Sequence, residues 1–558
     1  MFNITKFSLI IVILFTNPKI LISEEGTFPM NLILINGKVW TGDSKQPYAQ
    51  GVAIFQDKII KVGTTEEVAK LIDKRTEVID LRGRLVLPGF IDSHVHFTSG
   101  GFWLSGVQLK DCTNPEEFGE RLQKKSNELP PNAWITGGSW DHENWKDTPL
   151  PVKELIDRYV PDRPVFVSRY DGHMGVANSL ALKLAGITEK SEDPSGGMIV
   201  RKPGSREPAG VLKDAAISLV ESIIPEPSLE EIEHTTEAAL AQAREYGVTS
   251  VKYMGASPED IKVYQRLLDK NRLTLRIEAN VPLSQWREIK KTGLIGNYNN
   301  HLLKIGRLKA FVDGSLGSNT ALFFEPYHNQ PDTRGLLVSP KEKLLKEMLS
   351  ADIEGFTFSI HAIGDSANSL LLDIYEEVQK INGTKDRRWK IEHAQHIAPK
   401  DFQRFAQSGI IASVQPYHAI DDGRWAESRI GYERCRTSYA FRTFLDNKVT
   451  MIFGSDWTVA PLNPLTGIYA AVTRRTLDGK NPDGWFPEQK ISVEEAVRAY
   501  TVTGAYAGFE ENILGSITPG KLADLVVLSD DIFTINPEKI PDTKVMYTIF
   551  NGKVVYKR

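Results

Sequence analysis

Cysteine is nearly absent: Cys112 and Cys435 are the only two in 558 residues. That excludes a disulfide framework and a thiolate zinc site, and two buried, unpaired thiols are the expected state. No apolar run is long enough for a comfortable membrane span. Neither sign of charge dominates. The 67 basic and 71 acidic residues leave a net charge of −4, so no basic field recommends a nucleic-acid partner. Short-period repeats and low-complexity tracts are also missing. What is present is ordinary: 41% hydrophobic and 25% charged residues, with ten Trp to fill a large core. This composition excludes a disordered or collagen-like chain. The length exceeds the usual size of one domain, so two or three structural units are expected.

Residues 1–23 read MFNITKFSLIIVILFTNPKILIS. Lys6 precedes the apolar run Phe7–Phe15, a second patch ends at Ser23, and Glu24 and Glu25 follow. This pattern predicts a secretory signal peptide, and hence export to a periplasm or the exterior with no stable membrane span once it is removed. A cytoplasmic location is the alternative if the segment is not a signal.

Strand-like text fills 24–87. Leu32-Ile33-Leu34-Ile35 meets Asn36-Gly37, a hairpin signal, before Lys38-Val39-Trp40. The C-terminus repeats the style in Asn551-Gly552-Lys553-Val554-Val555. One small β-sandwich domain built from both termini, 24–87 with 512–558, is the expected arrangement. Between its halves, short apolar strands alternate with helical stretches such as Leu229–Tyr246, Lys341–Ile353 and Ser366–Ile381. Eight strands are expected, at 89–95, 249–253, 274–280, 306–312, 357–361, 389–393, 410–415 and 450–455. The fold class is therefore α/β, a TIM (β/α)8 barrel over 88–511. The gap between the first two strands is too long for one crossover. Residues 100–228 are expected to be a subdomain inserted after the first barrel strand.

The chemistry gathers at strand ends. In Pro88-Gly89-Phe90-Ile91-Asp92-Ser93-His94-Val95-His96, alternation along a strand puts His94 and His96 on one face. They lie at the C-terminal end of the first barrel strand, where barrel active sites sit. His361 ends the fifth strand, His393 the sixth and Asp456 the eighth. A capped strand end, a surface histidine or an Asx turn would explain each alone. Together they fit better as a metal centre of imidazoles and one carboxylate. Two adjacent cations would also need a bridging anion. Lys309 could supply it by reacting with CO2 to form a carbamate; Lys252 and Asp313 compete for the role.

These motifs make the sequence resemble the metal-dependent amidohydrolase superfamily, and within it the amidohydrolase-3 branch that includes N-substituted formamide deformylases. The resemblance rests on P-G-F-I-D-S-H-V-H, K-A-F-V-D-G-S, H-A-I-G-D, I-E-H-A-Q-H and F-G-S-D-W, on Asp171-Gly172-His173 and Gln415-Pro416-Tyr417-His418, and on the tail from Gly515 to Asp524. It spans about Asn31 to Arg558. It implies that His94, His96 and Asp456 hold one metal, that His361 and His393 hold the other, and that carbamylated Lys309 bridges them, which leaves Lys252 without that role. Two divalent cations are implied; zinc leads by ligand type, with manganese, iron and nickel as alternatives. The implied reaction is hydrolysis of a carbon–nitrogen bond in a small amide, formamide or urea by cation-activated water, with Asp456 as general acid and base. Family habit also suggests a homodimer.

His173 is a further catalytic candidate, placed to hydrogen-bond the substrate or its oxyanion. Trp140, His418 and Arg434 are candidate substrate-binding residues, weighed against a packed loop, a solvated loop and a surface ion pair. Three other readings compete: a one-metal deaminase or cyclic-amide hydrolase, a non-catalytic binding protein, and a glycosidase. The glycosidase would need paired carboxylates at strand ends, where imidazoles stand instead.

Overall fold

A computed structural model describes residues 30–558 apart from 131–132, 141, 143–144, 146–149, 170–173, 195–196, 215, 294–297, 300 and 318. The expected signal segment and His173 lie outside the described residues. Among the described residues, no helix is long and apolar enough to cross a membrane.

Eight parallel strands run in chain order around a barrel: β1 Phe90–Val95, β2 Val248–Met254, β3 Arg276–Pro282, β4 Leu303–Phe311, β5 Thr357–Ala362, β6 Lys390–His393, β7 Ile411–Val414 and β8 Met451–Phe453. No expected boundary is off by more than three residues. The seam between β8 and β1 closes just past the strand ends. There the Asp456 amide donates to the His94 carbonyl at 2.7 Å and the His96 amide to the Trp457 carbonyl at 2.8 Å. Helices cover the outside. Leu229–Glu245 begins in a capping box, with Ser228 accepting from the Glu231 amide, and Asp365–Asn382 stops at Gly383, whose φ of +77° a side chain would oppose.

Both termini build the β layers. Leu32–Ile35, Gly51–Phe55, Lys58–Gly63 and Glu77–Asp80 form one sheet. Lys38–Trp40, Tyr48–Ala49, Leu85–Pro88, Leu525–Leu528, Val545–Phe550 and Lys553–Lys557 form the other. Leu34, Val52, Ile54, Val86, Leu525, Val527 and Ile549 share the core between them. The hairpin expected at Asn36-Gly37 does not form, because the strands on either side of it enter different sheets. Gly37 is needed there for contact: a Cβ would lie 2.3 Å from Leu81 Cδ1. Asn551-Gly552 does make its hairpin, with φ of +50° and +75°, the signature of a type I′ turn.

Arg276 on β3 locks the barrel to this β domain. Its guanidinium forks onto Asp524 at 2.6 and 3.0 Å, both groups buried, and Asp524 also accepts the Asn551 amide at 2.8 Å.

Between β1 and β2, six strands from Val107–Gln108 to Pro208–Asp214 form a separate sheet with its own apolar clusters. Cys112 lies in one of these clusters and Cys435 in the barrel core; both are buried free thiols, as expected.

Candidate metal centre

Period-two alternation along the barrel strands stacks polar side chains inside. The lower layer is ionic. Lys252 on β2 meets Glu510 at 2.5 Å and Glu278 at 3.4 Å, and Arg307 on β4 meets Glu278 at 2.8 Å. Two residues further along β4 stands Lys309, one layer nearer the mouth and buried. Burial pushes its ammonium below the ordinary lysine range, against the pull of Glu392 and Asp456. Lys252 is thus tied into the barrel floor, and Lys309 stands among the site residues.

At the mouth, His94 Nε2 lies 3.5 Å and His96 Nε2 3.3 Å from Asp456 Oδ1. His393, His418 and Asp456 form a second converging group. Asp456 belongs to both, and its Oδ2 lies 4.0 Å from His418 Nε2. His361 falls outside these two groups, yet its ring centroid is 4.5 Å from that of His393. Its Nε2 donates to the Gly314 carbonyl at 2.9 Å, which leaves the lone pair on Nδ1.

The donor set fits a divalent cation. Among the described residues, His393 Nδ1, His418 Nε2 and Asp456 Oδ1 are buried without a hydrogen-bond partner. Burial holds His94 and His393 below the usual histidine range and His361 down at about 3, so the imidazoles are neutral with lone pairs to give. Asp456 lies well below the usual carboxylate range despite its own burial, with the half-buried His96 within hydrogen-bond reach.

Backbone strain marks the same residues. His393, Ala394 and Asp456 have φ of +71°, +41° and +56°, a region that costs a non-glycine residue about 1 kcal/mol or more. At His393 the turn breaks strand alternation. Glu392, its immediate neighbour, can therefore also face the interior, where its Oε2 accepts from His94 Nδ1 at 2.7 Å.

Sequence reasoning passed over Glu392, although it stands inside I-E-H-A-Q-H. Burial opposes its charge, but His94, Lys390 and Lys309 hold the carboxyl down at about 2. A carboxylate on Nδ1 fixes the tautomer that turns the Nε2 lone pair of His94 toward Asp456. Glu392→Gln is expected to weaken metal affinity roughly 10–100-fold, read by competition with a chelator. Unchanged affinity would remove Glu392 from that role.

Two other acids have roles the sequence does not show. Asp92 accepts the amides of His94 and Ser455 at 3.1 and 2.9 Å, and burial pushes its carboxyl up to about 7. Asp313, weighed only as a bridge, instead accepts the amides of Leu322, Ile363 and Gly364, tying the loop after β4 to the one after β5.

Two expected substrate contacts are engaged by other parts of the chain. Trp140 is fully buried in the inserted subdomain, with its indole N–H on the Val167 carbonyl at 2.8 Å. It is a core residue because no face of its ring reaches solvent. Arg434 donates from all three of its nitrogens to the carbonyls of Ile430, Glu325 and Pro326. His418, by contrast, is at the site.

A parallel eight-strand barrel with imidazoles and a carboxylate gathered at its C-terminal mouth defines a barrel-enzyme scaffold with a candidate metal centre where barrel active sites sit. Comparison with known proteins gives the family. A model described as "Amidohydrolase family" matches residues 77–556, and the chain belongs to that family. LONG AFTER FAR-RED 3 of Arabidopsis thaliana is 39% identical over 94% of this chain and 91% of its own length. An N-substituted formamide deformylase of Arthrobacter pascens is 27% identical over 95% and 98%. Among solved structures, an uncharacterized metal-dependent hydrolase of Pyrococcus furiosus superposes with a TM-score of 0.76 at 28% identity, covering 90% of this chain and all of that one.

Proposed function

We propose that the chain is a two-metal hydrolase that cleaves the carbon–nitrogen bond of a small non-peptide amide, formamide or urea. The observation that carries this reading is the pair of donor groups sharing Asp456, with buried lone pairs that no hydrogen bond among the described residues takes up. The 27% relative that is named a formamide deformylase supports the type of bond.

His94, His96 and Asp456 would hold one cation, His361 and His393 the other, with carbamylated Lys309 between them. The low ammonium pKa of Lys309 favours the neutral amine that carbamate formation needs. His361 is preferred to His418 as the second ligand because the Gly314 carbonyl fixes its lone pair on Nδ1. His418 is kept for the substrate, its Nε2 lying 4.0 Å from Asp456 Oδ2 and without a hydrogen bond among the described residues.

When bound, the cations, zinc by ligand type, lower the pKa of water and polarise a carbonyl. Asp456 takes the proton from the attacking water. His418 hydrogen-bonds the carbonyl oxygen as charge builds there. Asp456 then returns its proton to the amine nitrogen as the carbon–nitrogen bond breaks, since an unprotonated amine leaves poorly. His173 would add a second donor from the inserted subdomain.

Elemental analysis of protein grown with bicarbonate should find about two transition metals per chain. One per chain favours a single-metal deaminase or cyclic-amide hydrolase, and none after reconstitution favours a non-catalytic protein. His361→Ala should bind about one metal fewer, whereas His418→Ala should keep its metal and lose turnover. Metal loss in His418→Ala alone would exchange the two roles.

A further inference from the structure

We propose that the barrel mouth selects substrates carrying a bulky apolar group next to the scissile carbon–nitrogen bond, with the Phe311 ring as the surface on which that group lies. The inference deepens the proposed function and rests on it.

Arg307, Lys309 and Phe311 share one face of β4. The first two are buried, but Phe311, at the strand's mouth end, is 44% exposed. Its ring is not a stray surface aromatic. The centroid lies 5.2 Å from that of His361 and 5.0 Å from Lys309 Nζ.

The chain then loops out and returns beside it. The Val338 amide donates to the Val312 carbonyl at 2.8 Å and the Leu336 amide to the Thr320 carbonyl at 3.0 Å. This return presents Leu336, Leu337 and Val338 in succession, each between 45% and 57% exposed. Past β8, Val459 is 66% exposed, and its amide donates to the Asp456 carbonyl at 2.8 Å.

Single exposed apolar side chains need no explanation, but a ring packed against a buried polar centre, with further exposed apolar residues on the loops beside it, does. The Phe311 ring packs against His361, so a body seated on it stands beside the proposed metal ligands. That favours the substrate itself as the occupant over a second copy of the chain, which would have to block the mouth. An aromatic ring flanked by leucine and valine offers dispersion contact and no hydrogen bond, so the group it receives is apolar.

The test uses the metal-loaded full chain and N-methyl-, N-butyl- and N-cyclohexylformamide, with N-(2-hydroxyethyl)formamide as the polar control and N-methylhexanamide to place the apolar group on the acyl side. kcat/KM should rise roughly tenfold or more from N-methyl to the better apolar substrate, chiefly through KM. Phe311→Ala should collapse that ratio toward one, and Phe311→Leu should keep part of it. Phe311 is too exposed for either change to threaten the fold. Calorimetric binding of the same compounds to metal-free protein supplies a second readout and should show the same order.

Turnover of every formamide without apolar preference overturns the inference and leaves the proposed function standing. No turnover of any carbon–nitrogen substrate removes the proposed function, while the binding order still judges the apolar rim. If Phe311→Asp dissociates an oligomer and the substrate ratio does not change, the rim is a subunit contact and the inference falls.

Discussion

Asp456→Asn should lose turnover by roughly 10³-fold or more while the chain keeps its fold and most of its metal. The substitution preserves shape and one potential ligand oxygen but removes the group that takes and returns the proton. The carboxylate sits at the junction of both donor groups, 3.3 Å from His96 Nε2 and 4.0 Å from His418 Nε2, and is held ionised there. Steady-state kinetics with elemental analysis of the same preparation separate the two roles. Lost activity with retained metal is the expected result. Normal turnover would exclude Asp456 as acid and base. Loss of metal in proportion to activity would make it a ligand alone.

The second large effect concerns stability. Asp524→Ala should destabilise the chain by about 3–5 kcal/mol, because it leaves the Arg276 guanidinium buried and unpaired. The pair is nearly inaccessible, and the bidentate geometry is held from the far side by Asn551. Arg276→Met combined with Asp524→Leu should cost clearly less than Asp524→Ala alone, since no orphaned charge remains. Urea midpoints of the variants decide this. A double variant at least as unstable as the single one would show that the fork itself, not relief of a stranded charge, holds the barrel to the β domain.

The barrel was readable because its signals are local and repeated. Each strand is a short apolar run, and β1, β5, β6 and β8 each lead into a histidine or aspartate. His94 and His96 follow from alternation alone. Glu392 was not readable by that rule, since two adjacent strand residues should face opposite ways; the +71° φ of His393 is what brings both inside. Asn36-Gly37 failed for the opposite reason. The dipeptide reports a local turn tendency, but sheet membership there is settled by partners far along the chain. Trp140 and Arg434 could not be placed from the sequence, because residue type does not reveal exposure. The carbonyls that occupy Arg434 include those of Glu325 and Pro326, 109 and 108 positions earlier.

The seam between β8 and β1 also governs when the site can exist. Asp92, His94 and His96 are made early, but the groups that meet them across the seam, Ser455, Asp456 and Trp457, lie about 363 positions later. At ~5–20 residues per second, a ribosome takes tens of seconds to cover that stretch. Throughout it the first strand waits with one edge unpaired and its imidazoles without their carboxylate. The donor groups around Asp456 therefore cannot be completed until the segment carrying Ser455, Asp456 and Trp457 has followed the first strand out of the ribosome.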